Sequence, residues 1–105
     1  MMKRGEVWWA NVPKPIGRRH VVLLTRDSAY AVRASMTVAT VTRTIHDIPV
    51  EVPLGAEDGM PKACVVNLDS IITISKRALE RNITTLSPEK MASVEEAIKF
   101  ALALH

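Results

Sequence analysis

The sequence predicts a mainly β domain of the α+β class: a small, strongly bent antiparallel sheet or partial barrel, closed by one C-terminal helix. Three observations predict it. Five or six short stretches rich in β-branched residues are separated by Pro, Gly and Asp. The apolar spacing switches to a helical period only once, after Ser87. A chain of 105 residues, 48% of them hydrophobic and 24% charged, has enough apolar surface for one core and no room for two. Residues 1–105 therefore read as a single domain.

Gly5 to Val12 reads as the first strand, with Val7, Trp9 and Asn11 alternating with Trp8, Ala10 and Val12 behind a glycine breaker. Pro13 and Pro15 stop it and restrict the connection that ends at Gly17. Arg19 to Thr25 is the second strand, and its unbroken Val21-Val22-Leu23-Leu24 run suits burial on both faces. Residues 26–35 read as an irregular or briefly helical connection, and Met36 to Thr42 as the third strand. Pro49 to Leu54 has a period of two, with Val50, Val52 and Leu54 inward and Glu51 outward; its prolines assign it to an edge or to strand ends. Beyond a turn-rich loop from Gly55 to Lys62, Ala63 to Leu68 and Ser70 to Ser75 read as two strands joined tightly at Asp69. The final helix starts with Ser87 as N-cap, Pro88 at the first helical position and Glu89 against the helix dipole. Met91, Val94, Ile98, Ala101 and Leu102 then make one apolar stripe over about four turns.

The longest apolar runs are too short to cross a bilayer, and Met1-Met2-Lys3-Arg4 leads into Gly5-Glu6 rather than a hydrophobic signal region. A cytoplasmic location is expected, with no membrane contact. Cys64 is the single cysteine, and Ala63, Val65 and Val66 around it predict a buried, inert thiol. The net charge of +3 is unevenly spread. Through Arg43 there are eight Lys/Arg against two carboxylates, a local +6, and the remainder carries −3. This implies either a positive face for a polyanion, most commonly nucleic acid, or an Arg-rich solvated surface.

Common catalytic signatures are missing. Glycines at 5, 17, 55 and 59 never cluster into a phosphate-binding loop, and no His/Cys/carboxylate spacing suits zinc. No metal or cofactor is expected. There is no nucleophile elbow, and Glu95-Glu96 reads as a solvated pair on the last helix. A basic and polar group at strand ends remains. Arg19 begins the second strand, while Thr42 and Arg43 end the third; if the two run antiparallel, a guanidinium and a hydroxyl meet at one pocket. Planar Arg donors match phosphate oxygens, and a Thr hydroxyl adds a neutral donor. Arg18, Lys14 and Arg43 are candidates for holding a nucleic-acid backbone. His20 titrates near neutral pH and is a candidate acid or base, although strand alternation turns it away from the face of Arg19 and favours a structural role. His46 reads as a solvated loop residue. One of Trp8 and Trp9 should face inward, and the other could offer a stacking surface for bases.

The chain also resembles a known family. Lys3-Arg4-Gly5-Glu6-Val7-Trp8-Trp9 is similar to the pattern KRGDVWW, Arg19-His20-Val21-Val22-Leu23 to RPVVVL, and Val38-Ala39-Thr40-Val41-Thr42 to VAPIT. Residues 65–79 resemble VVLLDQIRTVDKSRL, and Leu86-Ser87-Pro88-Glu89-Lys90-Met91 the usual start of the last helix. These motifs, in order along nearly the whole chain, mark the MazF/PemK toxins. The resemblance implies an SH3-like small barrel of the MazF/CcdB type and a homodimer. It further implies metal-independent, sequence-selective cleavage of single-stranded RNA by the neighbouring 2′-hydroxyl, and an acidic antitoxin as partner. The family's catalytic Arg and Thr fall on Arg19 and Thr42. The chain departs from the family at His20, where Pro is usual, at Ser70, where Gln is usual, and in a short first loop without the Gly-Ser-Glu element. A non-catalytic gyrase inhibitor like CcdB, though without its C-terminal Trp, and a small-barrel RNA-binding module are the other readings of the same fold.

Overall fold

A computed structural model describes residues 2–105. Six strands, β1 (Glu6–Asn11), β2 (Arg18–Leu23), β3 (Ser35–Thr42), β4 (Glu51–Leu54), β5 (Cys64–Ser75) and β6 (Leu79–Thr85), precede one helix, α1 (Pro88–Ala101). They form a single sheet in the order β4-β5-β3-β2-β1-β6, and every neighbouring pair is antiparallel. The sheet is open, with β4 and β6 at its edges. Register shifts in β1·β6 and β3·β5 mark bulges, which bend strands and raise their twist, so the sheet curls as a partial barrel does.

Each face of the sheet carries its own apolar cluster. On one, Val7, Val22, Ala39, Val41, Val52, Leu54, Val66 and Leu68 meet Met91, Val94 and Ala97 of α1. On the other, Ala10, Val21, Leu23, Val38 and Ile74 pack with Tyr30 and Met36 beneath the β2–β3 connection. Val21, Val22 and Leu23 are fully buried in the centre of the sheet, as the unbroken apolar run requires. Ser87 caps α1 by accepting the Lys90 amide at 3.0 Å, and Pro88 occupies its first turn.

Four details differ from the sequence reading. The two strands expected around Asp69 are one strand, β5, with Leu68, Asp69 and Ser70 bulged between the pairs Ala39↔Ile71 and Thr40↔Asn67. Strand β6 was not anticipated, because Glu80, Arg81 and Asn82 give it three consecutive exposed polar residues. Glu51 points inward: its carboxylate accepts the His46 and Asp47 amides at 2.9 Å each and meets His46 Nδ1 at 3.2 Å. Finally, α1 ends at Ala101, so Leu102 is exposed and Ala97 takes its place in the core.

Candidate nucleic-acid interface

Strand register builds the site. The β2·β3 ladder ends at the pair Val21↔Thr40, and Arg19 and Thr42 each lie two residues past it on their own strands. Beyond this point the two strands separate and a cavity of about 440 Å³ opens, within the range of ligand-binding clefts. Arg19 and Thr42 both border it, together with Arg18, Arg43 and Lys62, so among the described residues four cations line the cavity and no carboxylate does. Trp9, Val41, Met60 and Pro61 supply an apolar wall.

Arg19 is half-buried. Its Nη2 donates to the Ile16 carbonyl at 2.8 Å, which anchors the guanidinium on the β1–β2 connection. No acceptor among the described residues reaches its buried Nε, and no carboxylate pairs with it. An under-satisfied, unneutralised cation at a cavity wall gains most from an anionic oxygen. Thr42 Oγ1 accepts the Thr44 amide at 3.2 Å, which leaves the hydroxyl hydrogen free to donate elsewhere.

The remaining candidates divide. Arg43 is exposed and borders the cavity. Arg18 borders it too, but its Nη1 is held by Glu80 at 3.0 Å. Lys14, exposed on the β1–β2 connection, is not part of the lining. His20 is, although alternation sends it to the sheet face opposite Arg19. Its ring packs edge-on against Trp9, centroids 4.9 Å apart. Burial lowers its pKa below the ordinary imidazole value and the positive charge of Arg81 adds to the effect, which favours the neutral ring. Trp8 packs into the second cluster and donates to Glu6 Oε1 at 2.9 Å, which leaves Trp9 as the indole at the cavity.

Lys62 escaped the sequence reading. Its place follows from Thr42 pairing with Val65, which carries the residues before β5 to the end of β3; spacing along the chain holds no sign of that pairing. Cys64 also borders the cavity, but it is buried, and burial followed by the charge of Asp58 pushes its thiol up, which keeps it protonated and inert. Among the described residues no His/Cys/Asp/Glu group is arranged to hold a metal ion, and no helix is long and apolar enough to cross a membrane.

The curled sheet and its cationic cavity, lined by no carboxylate among the described residues, define a small β domain with a cavity complementary to anionic groups. Residues 3–102 match the family described as PemK-like, MazF-like toxin of type II toxin-antitoxin system, and the chain belongs to that family. A Mycobacterium tuberculosis relative, "Probable endoribonuclease MazF2", is 41% identical over 91 residues, covering 86% of this chain and 87% of the relative. "Endoribonuclease EndoA" of Bacillus subtilis is 31% identical over 112 residues, covering 99% of this chain and 97% of its own. Among solved structures, the Mycobacterium tuberculosis toxin MazF-mt6 superposes with a TM-score of 0.88 at 30% identity, over 95% of this chain and 98% of the other.

Proposed function

We propose that this toxin is a metal-independent endoribonuclease that cleaves single-stranded RNA by attack of a ribose 2′-hydroxyl on the adjacent phosphodiester. The observation that carries the proposal is the convergence of Arg19 and Thr42, from separate strands, on one cavity lined, among the described residues, by four cations and no carboxylate. Such a cavity suits a phosphodiester, and the endoribonuclease names of its relatives agree with that use.

Attack by the 2′ oxygen places extra negative charge on a phosphorane, and fixed donors aimed at that charge lower the barrier. Arg19 stabilises the phosphorane oxygens through its guanidinium. Because Ile16 holds one end of that group, little reorganisation is needed when the phosphate arrives. Thr42 donates its hydroxyl hydrogen to a non-bridging oxygen while Thr44 holds the hydroxyl oxygen in place. Arg43 and Lys62 hold the RNA backbone, and Arg18 joins them once RNA displaces Glu80. The apolar wall with Trp9 accommodates a base beside the scissile phosphate.

The same cavity suits an acidic antitoxin segment, which would compete with RNA for the cations and silence the toxin. A related endoribonuclease from a mycobacterial species has been solved in complex with its cognate antitoxin. A homodimer is part of this reading: Phe100, Leu102 and Leu104 leave apolar surface exposed at the end of α1. The chain works in the cytoplasm, where its RNA substrate lies, and residues 1–105 act as one domain. The test is to incubate purified protein with long single-stranded RNA in EDTA and map the cut ends. Internal cuts with cyclic phosphate ends, lost in Arg19→Ala, are expected. Intact RNA would overturn the proposal in favour of a non-catalytic inhibitor or binding module.

A further inference from the structure

We propose that His20 is the general base of this cavity, taking the proton of the attacking 2′-hydroxyl while Arg19 and Thr42 hold the phosphate. The assignment rests on the ribonuclease reading above and supplies the part that reading lacks. Removal of the 2′ proton needs an acceptor within reach of the ribose. The side chains bordering the cavity leave one choice. Arg18, Arg19, Arg43 and Lys62 are charged donors, Thr42 and Thr44 are neutral hydroxyls, and the Cys64 thiol is held protonated by burial. Trp9, Val41, Met60 and Pro61 carry no basic atom. Among the described residues bordering the cavity, only the imidazole of His20 accepts a proton near neutral pH.

Its surroundings favour that role. The ring is half-buried and steadied edge-on by Trp9, with centroids 4.9 Å apart and planes at 66°. No ring nitrogen of His20 has a hydrogen-bond partner among the described residues, so the acceptor lone pair is uncommitted. The charged groups around it are Arg18 and Arg19 on its own strand, Arg81 on β6, Arg43 at the end of β3 and Lys62 before β5. The carboxylate of Glu80, which pairs with Arg18 in the free protein, is not part of the cavity lining. Burial, with the charge of Arg81 adding to it, lowers the pKa of the imidazole and favours its neutral form in the free protein. A bound phosphate offsets part of that positive charge, so the ring becomes a better proton acceptor when RNA is in place.

The position on the strand fits as well. Arg19 and His20 are adjacent on β2 and both border the cavity, so the phosphate-holding group and the base can serve one ribose-phosphate unit. As the 2′ oxygen bonds to phosphorus, its proton passes to an imidazole nitrogen. The bond from phosphorus to the 5′ oxygen breaks with its electron pair on that oxygen, which takes a proton from water. The imidazolium then returns its proton to the hydroxide so formed, and the products are a 2′,3′-cyclic phosphate and a 5′-hydroxyl.

Single-turnover cleavage measured between about pH 5 and 8 tests the assignment, with wild type, His20→Phe and His20→Ala compared. Wild-type rates should rise with pH and level off once the imidazole of the RNA complex is neutral. His20→Phe keeps a ring against Trp9 and should bind RNA as wild type does, but cleave about 10²- to 10⁴-fold more slowly and lose the acid limb. Added imidazole should restore part of the rate to His20→Ala. An unchanged rate and pH profile in His20→Phe would overturn the assignment, as would an unchanged rate with a new cut-site sequence, which would make His20 a reader of bases. Either result with Arg19→Ala inactive would leave the ribonuclease reading standing, whereas intact RNA with wild type would remove both.

Discussion

Thr42→Val separates what the hydroxyl does for cleavage from what it does for the fold, because valine keeps the shape and β-branching and loses only the oxygen. In the folded protein that oxygen accepts one amide, Thr44 N at 3.2 Å, in an exposed turn where water can replace it. The stability cost should therefore stay within about 0.5 kcal/mol, the range for surface changes that break no buried contact. For a domain of this size that is a fall in Tm of roughly 2–4 °C. The cost in the transition state is of another order. Loss of one preorganised donor to a developing oxyanion removes about 10²- to 10³-fold in rate, or roughly 3–4 kcal/mol. Single-turnover cleavage of one RNA in EDTA, beside a thermal melt of each variant, measures both quantities. Thr42→Ser keeps the donor and should retain most of the rate. A Thr42→Val protein that cuts as fast as wild type, or that loses activity only in proportion to a large loss of stability, would refute the reasoning.

Three further outcomes follow from particular contacts. Gly59 has φ +86°, and a Cβ there would run into the Thr84 side chain, whose hydroxyl donates to the Asp58 carbonyl at 3.0 Å. Gly59→Ala should cost about 2 kcal/mol, read as a fall of roughly 10 °C in Tm; an unchanged melt would show that the turn readily takes another shape. The Glu51 carboxyl is pushed up by burial, but the His46 and Asp47 amides and the His46 ring outweigh this and hold its pKa below the usual carboxylate value. A pKa lower in the folded than in the unfolded state means stabilisation present above the unfolded value and lost as pH falls through the folded one. Wild type should therefore melt above Glu51→Gln at neutral pH, with the gap closing in acid; a gap that persists unchanged would contradict it. With Arg18 released from Glu80 when RNA binds, four cations hold the strand, so binding of a non-cleavable single strand should weaken with salt at a log–log slope of about −3, flattened by about 0.7 in Lys62→Ala. A slope that does not change in that variant would place Lys62 off the backbone path.

Local chemistry made much of this molecule readable before any coordinates. Ser87, Pro88 and the spacing of Met91 and Val94 specify the start and buried face of α1, and Val21 to Leu23 specify a central strand. The meeting of Arg19 and Thr42 at one cavity was readable too, because antiparallel pairing of neighbouring strands brings the start of one to the end of the next. Features set by long-range pairing were hidden. Lys62 reaches the cavity only because β5 pairs with β3 rather than with a sequence neighbour, and the bulge at Leu68 to Ser70 looked like a turn because Asp69 is a turn residue. Glu51 alternates with apolar neighbours and so looked solvent-facing, yet it is drawn inward by two backbone amides that would otherwise lack a partner. Alternation placed His20 on the face opposite Arg19 and so missed that both border the cavity.

The single-turnover rate of the double variant Arg19→Ala/Thr42→Val, set against each single variant in EDTA, probes most directly whether both side chains grip the same scissile phosphate. If they do, the double variant should lose clearly less than the product of the two single losses, because the second removal acts on a phosphoryl group already poorly held. Losses that multiply in full, or a double variant that still cuts at the wild-type rate, would contradict the account.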